Sequence, residues 1–280
     1  MNHATVLGAT GFIGSHLSAE LRRRGIEVAT PARNADLSHQ DLGTVFYCIG
    51  LTGDAPRRPF ETVEAHIVRL AEVLSDCSFD RLVYPSSTRL YLGAPAAREE
   101  EALRIDPADP GRIFNLSKAL GETLVLESDR GRVARLSNVY GRDWESENFL
   151  TAILMAACRD GEVTIRDAPA SAKDYVHVGD AVEALIRIGD EGRERTYNVA
   201  SGENTSHGEL AEALRRACGC TVDFGDEPRT VVFPQIDTAR IQAEFPFSPR
   251  RVLDDLPALV DGCRAWLRAG RPSAAPAAER

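Results

Sequence analysis

Lysine is rare in this chain, and one of its two lysines lies where it could do chemistry. The 33 basic residues of the 280-residue sequence are arginines except for Lys118 and Lys173. An ammonium is a compact donor whose pKa shifts with its surroundings, so arginine cannot replace a lysine that handles protons. Lys118 follows Phe114 by four residues on a helix predicted over 113–127, which places both side chains on one face.

A glycine pattern near the N-terminus predicts a dinucleotide site. Gly8, Gly11 and Gly14 follow a short apolar strand at 4–7 and open a helix predicted over 12–24. The first glycine allows a tight turn, the second admits a pyrophosphate, and the third lets the helix pack against the sheet. The positive end of the helix attracts the anion. The alternative, a glycine turn without a ligand, is disfavoured by this strand-to-helix position.

The end of the second predicted strand, at 27–31, favours NADPH over NADH. NAD enzymes usually carry Asp or Glu at this point, where it binds the ribose hydroxyls. Here the strand is followed by Arg33, and no acidic residue occurs before Asp36. Arg33 can hold a 2′-phosphate through a charge-assisted fork. The alternative is that Arg33 is an ordinary surface arginine.

Strands alternate with helices through the first 200 residues, a pattern typical of a parallel sheet covered on both faces. We therefore predict an α/β fold, a Rossmann-type doubly wound parallel sheet with a smaller C-terminal substrate lobe. The predicted NADP-binding domain comprises 1–141 and 172–201, and the predicted lobe comprises 142–171 and 202–268. Residues 271–280 lack core-forming side chains and are predicted to be a disordered tail.

Composition limits the partners that we expect. The net charge of −9 argues against nonspecific binding to nucleic acid or to a membrane. No apolar run approaches the roughly 20 residues of a membrane helix, and no export signal is visible, so a cytoplasmic location is expected. The six cysteines lack zinc spacing. The close pair Cys218 and Cys220 could chelate a metal, but reduced thiols and no metal site are favoured.

Five further motifs resemble those of the extended short-chain dehydrogenases/reductases, the NAD-dependent epimerase/dehydratase-like branch that modifies nucleotide sugars. They are LVYPSSTRLY at 82–91, FNLSKALGE at 114–122, RLSNVYG at 135–141, KDYVHVGD at 173–180 and YNVASG at 197–202. With the glycine turn, the resemblance covers nearly the whole chain. Its implications are more specific for the fold than for the reaction.

The resemblance implies roles for residues of the site. It makes Ser87 the active-site hydroxyl, and it makes Lys118 the residue that grips the nicotinamide ribose. Tyr91 is a phenol near the expected site and is included with these two and with Phe114 in the predicted catalytic set. The predicted dinucleotide contacts are Gly8, Thr10, Gly11, Phe12, Ile13, Gly14, Arg33, Asp36, Leu37, Ile49, Gly50, Lys118, Ser137, Asn138 and Val139.

The chain departs from the family pattern at its centre. In that family a tyrosine four residues before the lysine exchanges a proton with the substrate oxygen while hydride moves to or from nicotinamide. Phe114 keeps the ring and loses the proton, and a positioned general acid is worth roughly 10²–10⁴-fold in rate, about 3–5 kcal/mol. In addition, Leu92 delays the expected glycine to Gly93, and Lys173 stands where an arginine usually binds the sugar-nucleotide diphosphate.

The proton must therefore come from another source. The candidates at the enzyme's site are Ser87 or Thr88, Tyr91, Tyr140, Lys118, a bound water and, least favoured, His177. A ketone beside a phenol carries its own proton, as in aromatic polyketides. The main hypothesis is accordingly NADPH-dependent reduction of an angucyclinone-type ketone. In lacking the tyrosine, the chain resembles the atypical ketoreductases of the simocyclinone type.

Two alternatives stay open. One is a reductase, epimerase or dehydratase of a nucleotide sugar with a displaced acid. The other is a non-catalytic NADP-binding sensor, against which the retained Lys118 argues. The expected partner is a small molecule, either an aromatic ketone or a nucleotide sugar. Both a monomer and a homodimer are compatible with the apolar stripes of the helices predicted over 59–76 and 113–127.

Overall fold

The computed structural model describes residues 1–109 and 111–270, so the predicted tail at 271–280 lies outside the described residues. In chain order, the strands are β1 (His3–Leu7), β2 (Glu27–Ala29), β3 (Thr44–Tyr47), β4 (Arg81–Ser87), β5 (Gly131–Leu136), β6 (Asn138–Tyr140), β7 (Glu162–Asp167), β8 (Ala172–His177), β9 (Thr196–Val199), β10 (Asn204–Ser206) and β11 (Thr221–Arg229).

The helices alternate with these strands. They are α1 (Phe12–Arg23), α2 (Pro59–Val63), α3 (Arg69–Asp76), α4 (Arg112–Leu126), α5 (Phe149–Arg159), α6 (Val178–Glu191), α7 (His207–Cys218), α8 (Ala239–Glu244) and α9 (Val252–Arg268). A π-helical turn, Glu64–Val68, joins α2 to α3, so the single helix predicted over 59–76 is interrupted. A 3-10 turn, Thr88–Tyr91, follows β4.

A six-stranded parallel sheet has the order β2-β1-β3-β4-β5-β9, which confirms the predicted fold class. The chain steps from β1 to one side for β2 and to the other side for β3. The loops that leave the carboxyl ends of β1 and β3 therefore border a crevice, the place where open α/β sheets bind ligands. All residues of β3 are buried, as expected of a sheet covered on both faces.

Successive side chains of the strands pack alternately into two hydrophobic cores, one on each face of the sheet. Val6, Phe46 and Val83 pack in the core that also contains residues of α1 and α6. Their neighbours Leu7 and Leu82 pack in the core that also contains residues of α3 and α4. This arrangement explains why the strands read as continuous apolar runs in the sequence.

The chain divides into two units. The first comprises 1–139, 174–203 and 233–249, and the second comprises 140–173, 204–232 and the described residues from 250 on. The sequence assigned 233–249 to the substrate lobe, and the structure places it in the first unit. The reason is that Ile241, Phe245 and Phe247 pack in the core of the first unit.

The second unit contains its own small parallel sheet. β7 pairs with β11 in a register that places Glu162 opposite Thr221. Helix ends in this unit are capped as expected: Asn148 accepts from the N–H of Thr151 at the start of α5, and Ser206 and Glu209 form a capping box at α7. Within the described residues, no helix has the length and apolar character that crossing a bilayer requires.

A buried ion pair in the first unit joins α4 to β5. Arg135 Nη2 donates to Glu122 Oε2 at 2.7 Å, and the two side chains are only 7% and 5% exposed. Ser86 on β4 also donates to Glu122. Arg135 Nη1 donates to the hydroxyl of Tyr91 at 2.6 Å, and that hydroxyl donates to Asn198 Oδ1 at 2.9 Å. The network therefore connects one helix to three neighbouring strands and to the 3-10 turn.

Replacing Glu122 by Gln should destabilise the protein strongly, because the Arg135 guanidinium then stays buried without its counter-charge. Breaking a buried pair costs about 3–5 kcal/mol. The control is Glu212→Gln, which removes a carboxylate that is 55% exposed and pairs with Arg216, and which should cost less than about 1 kcal/mol. Urea unfolding followed by circular dichroism measures both, and equal losses would contradict the role assigned to the buried pair.

Candidate active site

At the turn after β1, backbone segments lie too close together for side chains at Gly8 and Gly14. Gly8 has φ +82°, and a Cβ on it would lie 2.7 Å from the carbonyl carbon of Cys48. A Cβ on Gly14 would collide with the carbonyl oxygen of Gly8. The N–H of Gly11 donates to that same oxygen at 3.0 Å, which closes the turn before α1 begins. The close approach and the helix N-terminus suit a dinucleotide pyrophosphate.

A cleft of about 570 Å³ opens at this turn, among residues that follow β1, β2 and β3. This volume lies within the range of small-molecule sites. The predicted cofactor contacts that line it are Gly8, Thr10, Gly11, Arg33, Ile49 and Gly50. Three arginines that the sequence did not predict, Arg22, Arg58 and Arg69, line it too. The sequence could have indicated Arg22, because Ser15, Ser18 and Arg22 occur at helical spacing on one face of α1.

The arginines give this cleft a positive lining in a chain of net charge −9. Arg58 pairs with Glu61 and Asp54, and Arg69 pairs with Glu72. The hydrogen bond from Arg58, and to a lesser degree the charge of Arg33, hold the pKa of Glu61 below its ordinary value. These ion pairs offset part of the positive charge, and the arginines that line the cleft still suit an anionic ligand.

Some predicted cofactor contacts lie elsewhere. Leu37 is 4% exposed and packs in the core with Leu42, so it does not border the cleft. Asp36 accepts from the N–H of Ser38 at 2.9 Å and closes a turn. The remaining predicted contacts that do not line the cleft are Phe12, Ile13, Gly14, Lys118, Ser137, Asn138 and Val139.

Ser137 directly follows β5, and Asn138 and Val139 begin β6. The N–H of Ser137 donates to the carbonyl of Val199 at 3.0 Å, and Asn138 Nδ2 donates to the carbonyl of Asp174 at 2.8 Å. Val139 packs against the core that contains α1 and α6. Their contacts are thus with the protein itself, and their predicted role at the nicotinamide stays a prediction.

Lys118 is buried on α4 and its ammonium is directed at β4. Nζ donates to the carbonyl oxygen of Pro85 at 2.9 Å and lies 4.6 Å from the centre of the Tyr84 ring. Burial lowers the pKa of Lys118 to about 8, although the nearby Cys48 and Glu122 act in the opposite sense. Such a group is mostly protonated at neutral pH and gives up its proton more readily than an ordinary lysine.

Ser87 and Phe114 are two further members of the predicted catalytic set. Ser87 ends β4 two residues after Pro85, and its Oγ accepts from the N–H of Arg89 at 3.1 Å. Because that bond uses the oxygen as an acceptor, the hydroxyl proton can still be donated. Phe114 lies in the first turn of α4, is 9% exposed, and has its ring 5.9 Å from the ring of His66.

The structure places Tyr91, the fourth member of the predicted catalytic set, inside the buried network. Its side chain is 0% exposed, and its hydroxyl is held by Arg135 and Asn198 in the buried network. Burial raises the pKa of Tyr91 to about 12, so it is a poor acid near neutral pH. Of the other candidates, Tyr140 donates to Asp255 in the second unit, and His177 caps α6 by accepting from Gly179.

Comparison with known proteins identifies the family. The model of the NAD dependent epimerase/dehydratase family matches residues 4–200, and the chain belongs to this family. A dTDP-4-dehydro-6-deoxy-D-allose reductase from a Streptomyces species is 27% identical over 296 residues, which cover 88% of this chain and 91% of the relative. A dTDP-6-deoxy-L-talose 4-dehydrogenase (NAD(P)(+)) from Kitasatospora kifunensis is 28% identical, over 89% of this chain and 91% of the relative.

A solved structure shows the same architecture. MoeE5, in complex with UDP-glucose and NAD, matches with a TM-score of 0.80 at 22% identity, over 95% of this chain and 99% of that chain. At this identity the likeness is evidence for the fold alone. It agrees with the Rossmann-like parallel sheet described above.

Proposed function

We propose that this chain is a nicotinamide-dependent reductase of a ketone on a nucleotide-linked sugar. Lys118 carries the proposal, because its buried ammonium reaches the end of β4 close to Ser87 along the chain. Two relatives aligned over about nine-tenths of their length are named for reduction or oxidation at position 4 of a dTDP-sugar. This substrate class replaces the aromatic polyketide as the leading proposal, since no relative named above acts on one.

The cofactor fits the cleft that the first unit provides. Gly8 and Gly14 let the backbone segments at this turn approach closely, since a Cβ on either would collide with the backbone. Gly8 and Gly11 line the cleft, where a pyrophosphate would meet backbone rather than side chains. When bound, a reduced nicotinamide dinucleotide supplies the hydride for the ketone carbon. Arg33, supported by the arginines that share its cleft, would bind a 2′-phosphate, and this favours NADPH.

The residues of the chain would supply the proton. Ser87 donates a hydrogen bond to the ketone oxygen, which polarises the carbonyl. Lys118 gives the proton to that oxygen, because its lowered pKa makes it the stronger acid of the two. The bond from Nζ to Pro85 uses one of the three ammonium protons, so the ammonium keeps protons that it can donate.

Phe114 favours a second candidate. The ring at the position of the family tyrosine has no hydroxyl, and an enzyme whose substrate carries a phenol beside its ketone does not need one. The phenol proton would then move to the carbonyl oxygen as hydride arrives. An aromatic polyketide ketone of the angucyclinone type has this arrangement.

Arg33→Ala should raise the KM for NADPH by roughly 10–100-fold, because a hydrogen bond to a charged group contributes about 1.5–3 kcal/mol. The KM for NADH should stay unchanged. The control Arg23→Ala removes an arginine of α1 that is 72% exposed and pairs with Glu20. Matched titrations of both cofactors measure the effect, and a wild-type preference for NADH would reject the assignment of Arg33.

A substrate screen tests the proposed reaction. Wild type, Phe114→Tyr and the control Phe60→Tyr, in which the added hydroxyl lies on a ring 89% exposed, are assayed by NADPH absorbance. We expect turnover of a dTDP-4-keto-6-deoxy sugar, and a rise in kcat of up to roughly 10²-fold in Phe114→Tyr alone, because the new phenol adds a positioned acid.

Other outcomes of the screen would contradict the proposal. Turnover only of a ketone beside a phenol, lost when that phenol is methylated and not improved by Phe114→Tyr, would establish the second candidate. Dinucleotide binding without turnover of either substrate would indicate the sensor.

A further inference from the structure

His66 is a buried histidine that the proposed reaction does not use. It lies in the π-helical turn Glu64–Val68, and its side chain is 0% exposed. π-helical turns occur frequently at functional sites. Sequence patterning did not indicate a role for His66, because it lies among the apolar residues of the helix predicted over 59–76.

The hydrogen bonds of His66 define a single tautomer. The N–H of Leu51 donates to Nε2 at 3.1 Å, so Nε2 is unprotonated and Nδ1 carries the hydrogen. Nδ1 donates to Ser117 Oγ at 2.8 Å, and Ser117 Oγ donates to the carbonyl oxygen of Phe114 at 3.1 Å. The chain of bonds thus runs from the loop after β3 to the residue that precedes Lys118.

His66 is neutral and cannot replace the missing phenol. Burial, with a smaller contribution from the charge of Lys118, lowers the pKa of His66 to about 3. The groups that face it are the Lys118 ammonium on α4 and, next to that ammonium, the Cys48 thiol after β3. Because both ring nitrogens are engaged within the protein, the imidazole has no proton to offer a substrate.

Gly50, in the loop held by His66, also lies close to Lys118. A Cβ on Gly50 would lie 2.9 Å from His66 Nε2 and 3.7 Å from Lys118 Nζ. Gly50 and Leu51 both line the cleft assigned to the dinucleotide. The imidazole and the ammonium therefore both lie on the side of Gly50 from which a side chain would project.

We propose that His66 is a positioning residue, which ties the cleft loop 49–51 to α4 and so fixes Lys118 relative to the cofactor cleft. The importance of Lys118 rests on the proposed function, whereas the tie is a property of the free protein. A misplacement of about 1 Å in such a site can cost 10²-fold in rate.

The tie is tested first without any ligand, by NMR of the free protein labelled with ¹⁵N-histidine and assigned with His66→Gln. We expect His66 to show the neutral Nδ1–H tautomer throughout the range of about pH 5 to 8, where an ordinary histidine titrates. Titration of His66 in that range, or the Nε2–H tautomer, would overturn the proposal whatever the substrate is.

A double-mutant cycle tests the contact with the loop. Gly50→Ala alone should lower the urea midpoint because its Cβ meets the imidazole. In the His66→Ala background the same change should lower it less, because the colliding ring is gone. Equal shifts in both backgrounds would contradict the packing of His66 against this loop.

Kinetics then separate positioning from a purely structural role. His66→Phe keeps a ring and loses both bonds, and it should lower kcat by roughly 10–100-fold with little change in substrate KM. His66→Gln can accept from Leu51 and should restore most of kcat. The control His16→Phe replaces an exposed histidine of α1 and should leave kcat unchanged.

Two kinetic results would overturn the proposal. One is a full kcat in His66→Phe, and the other is an equal loss in His66→Phe and His66→Gln. If wild type reduces no ketone at all, the proposed function fails. The NMR measurement and the mutant cycle still test whether His66 ties the loop to α4.

Discussion

The buried ion pair between Glu122 and Arg135 is the contact on which the position of the candidate catalytic groups depends. Glu122 lies one helical turn beyond Lys118 on α4, and Ser86, which donates to Glu122, directly precedes Ser87 on β4. Desolvating two charges is costly unless their remaining bonding capacity is met. Here Arg135 also donates to Tyr91. The network therefore docks α4 on the sheet, and that docking brings the Lys118 ammonium to β4.

Two side chains of α4 determine how the proposed reaction obtains its proton. Its first turn presents a ring without a hydroxyl, Phe114, and its second presents a buried ammonium. Burial moves the pKa of Lys118 from the ordinary 10.5 to about 8, a gain in acidity of roughly 3 kcal/mol. A buried lysine that gives up its proton more readily can serve as the general acid that the missing tyrosine would otherwise supply. His66 adds a neutral tie that holds the neighbouring loop.

Local pattern was enough to predict the fold and the glycine turn. Two properties of short segments predict them: the alternation of apolar strands with helices predicts the parallel sheet, and the spacing of Gly8, Gly11 and Gly14 predicts the tight turn. Features that depend on distant contacts could not be predicted from short segments. The sequence could not show that Tyr91 is held by Arg135, which lies 44 residues away, or that Leu37 packs in a core. His66 likewise has partners from two remote segments.

The pH dependence of kcat/KM for ketone reduction tests the central claim, that Lys118 supplies the proton, most directly. The protonated lysine is the active form, so the rate should be level below pH about 8 and fall tenfold per unit above it. In Phe114→Tyr a phenol of pKa about 10 should extend the level region toward that value. A wild-type rate that stays level beyond pH about 10, or the same decline in both proteins, would contradict the account.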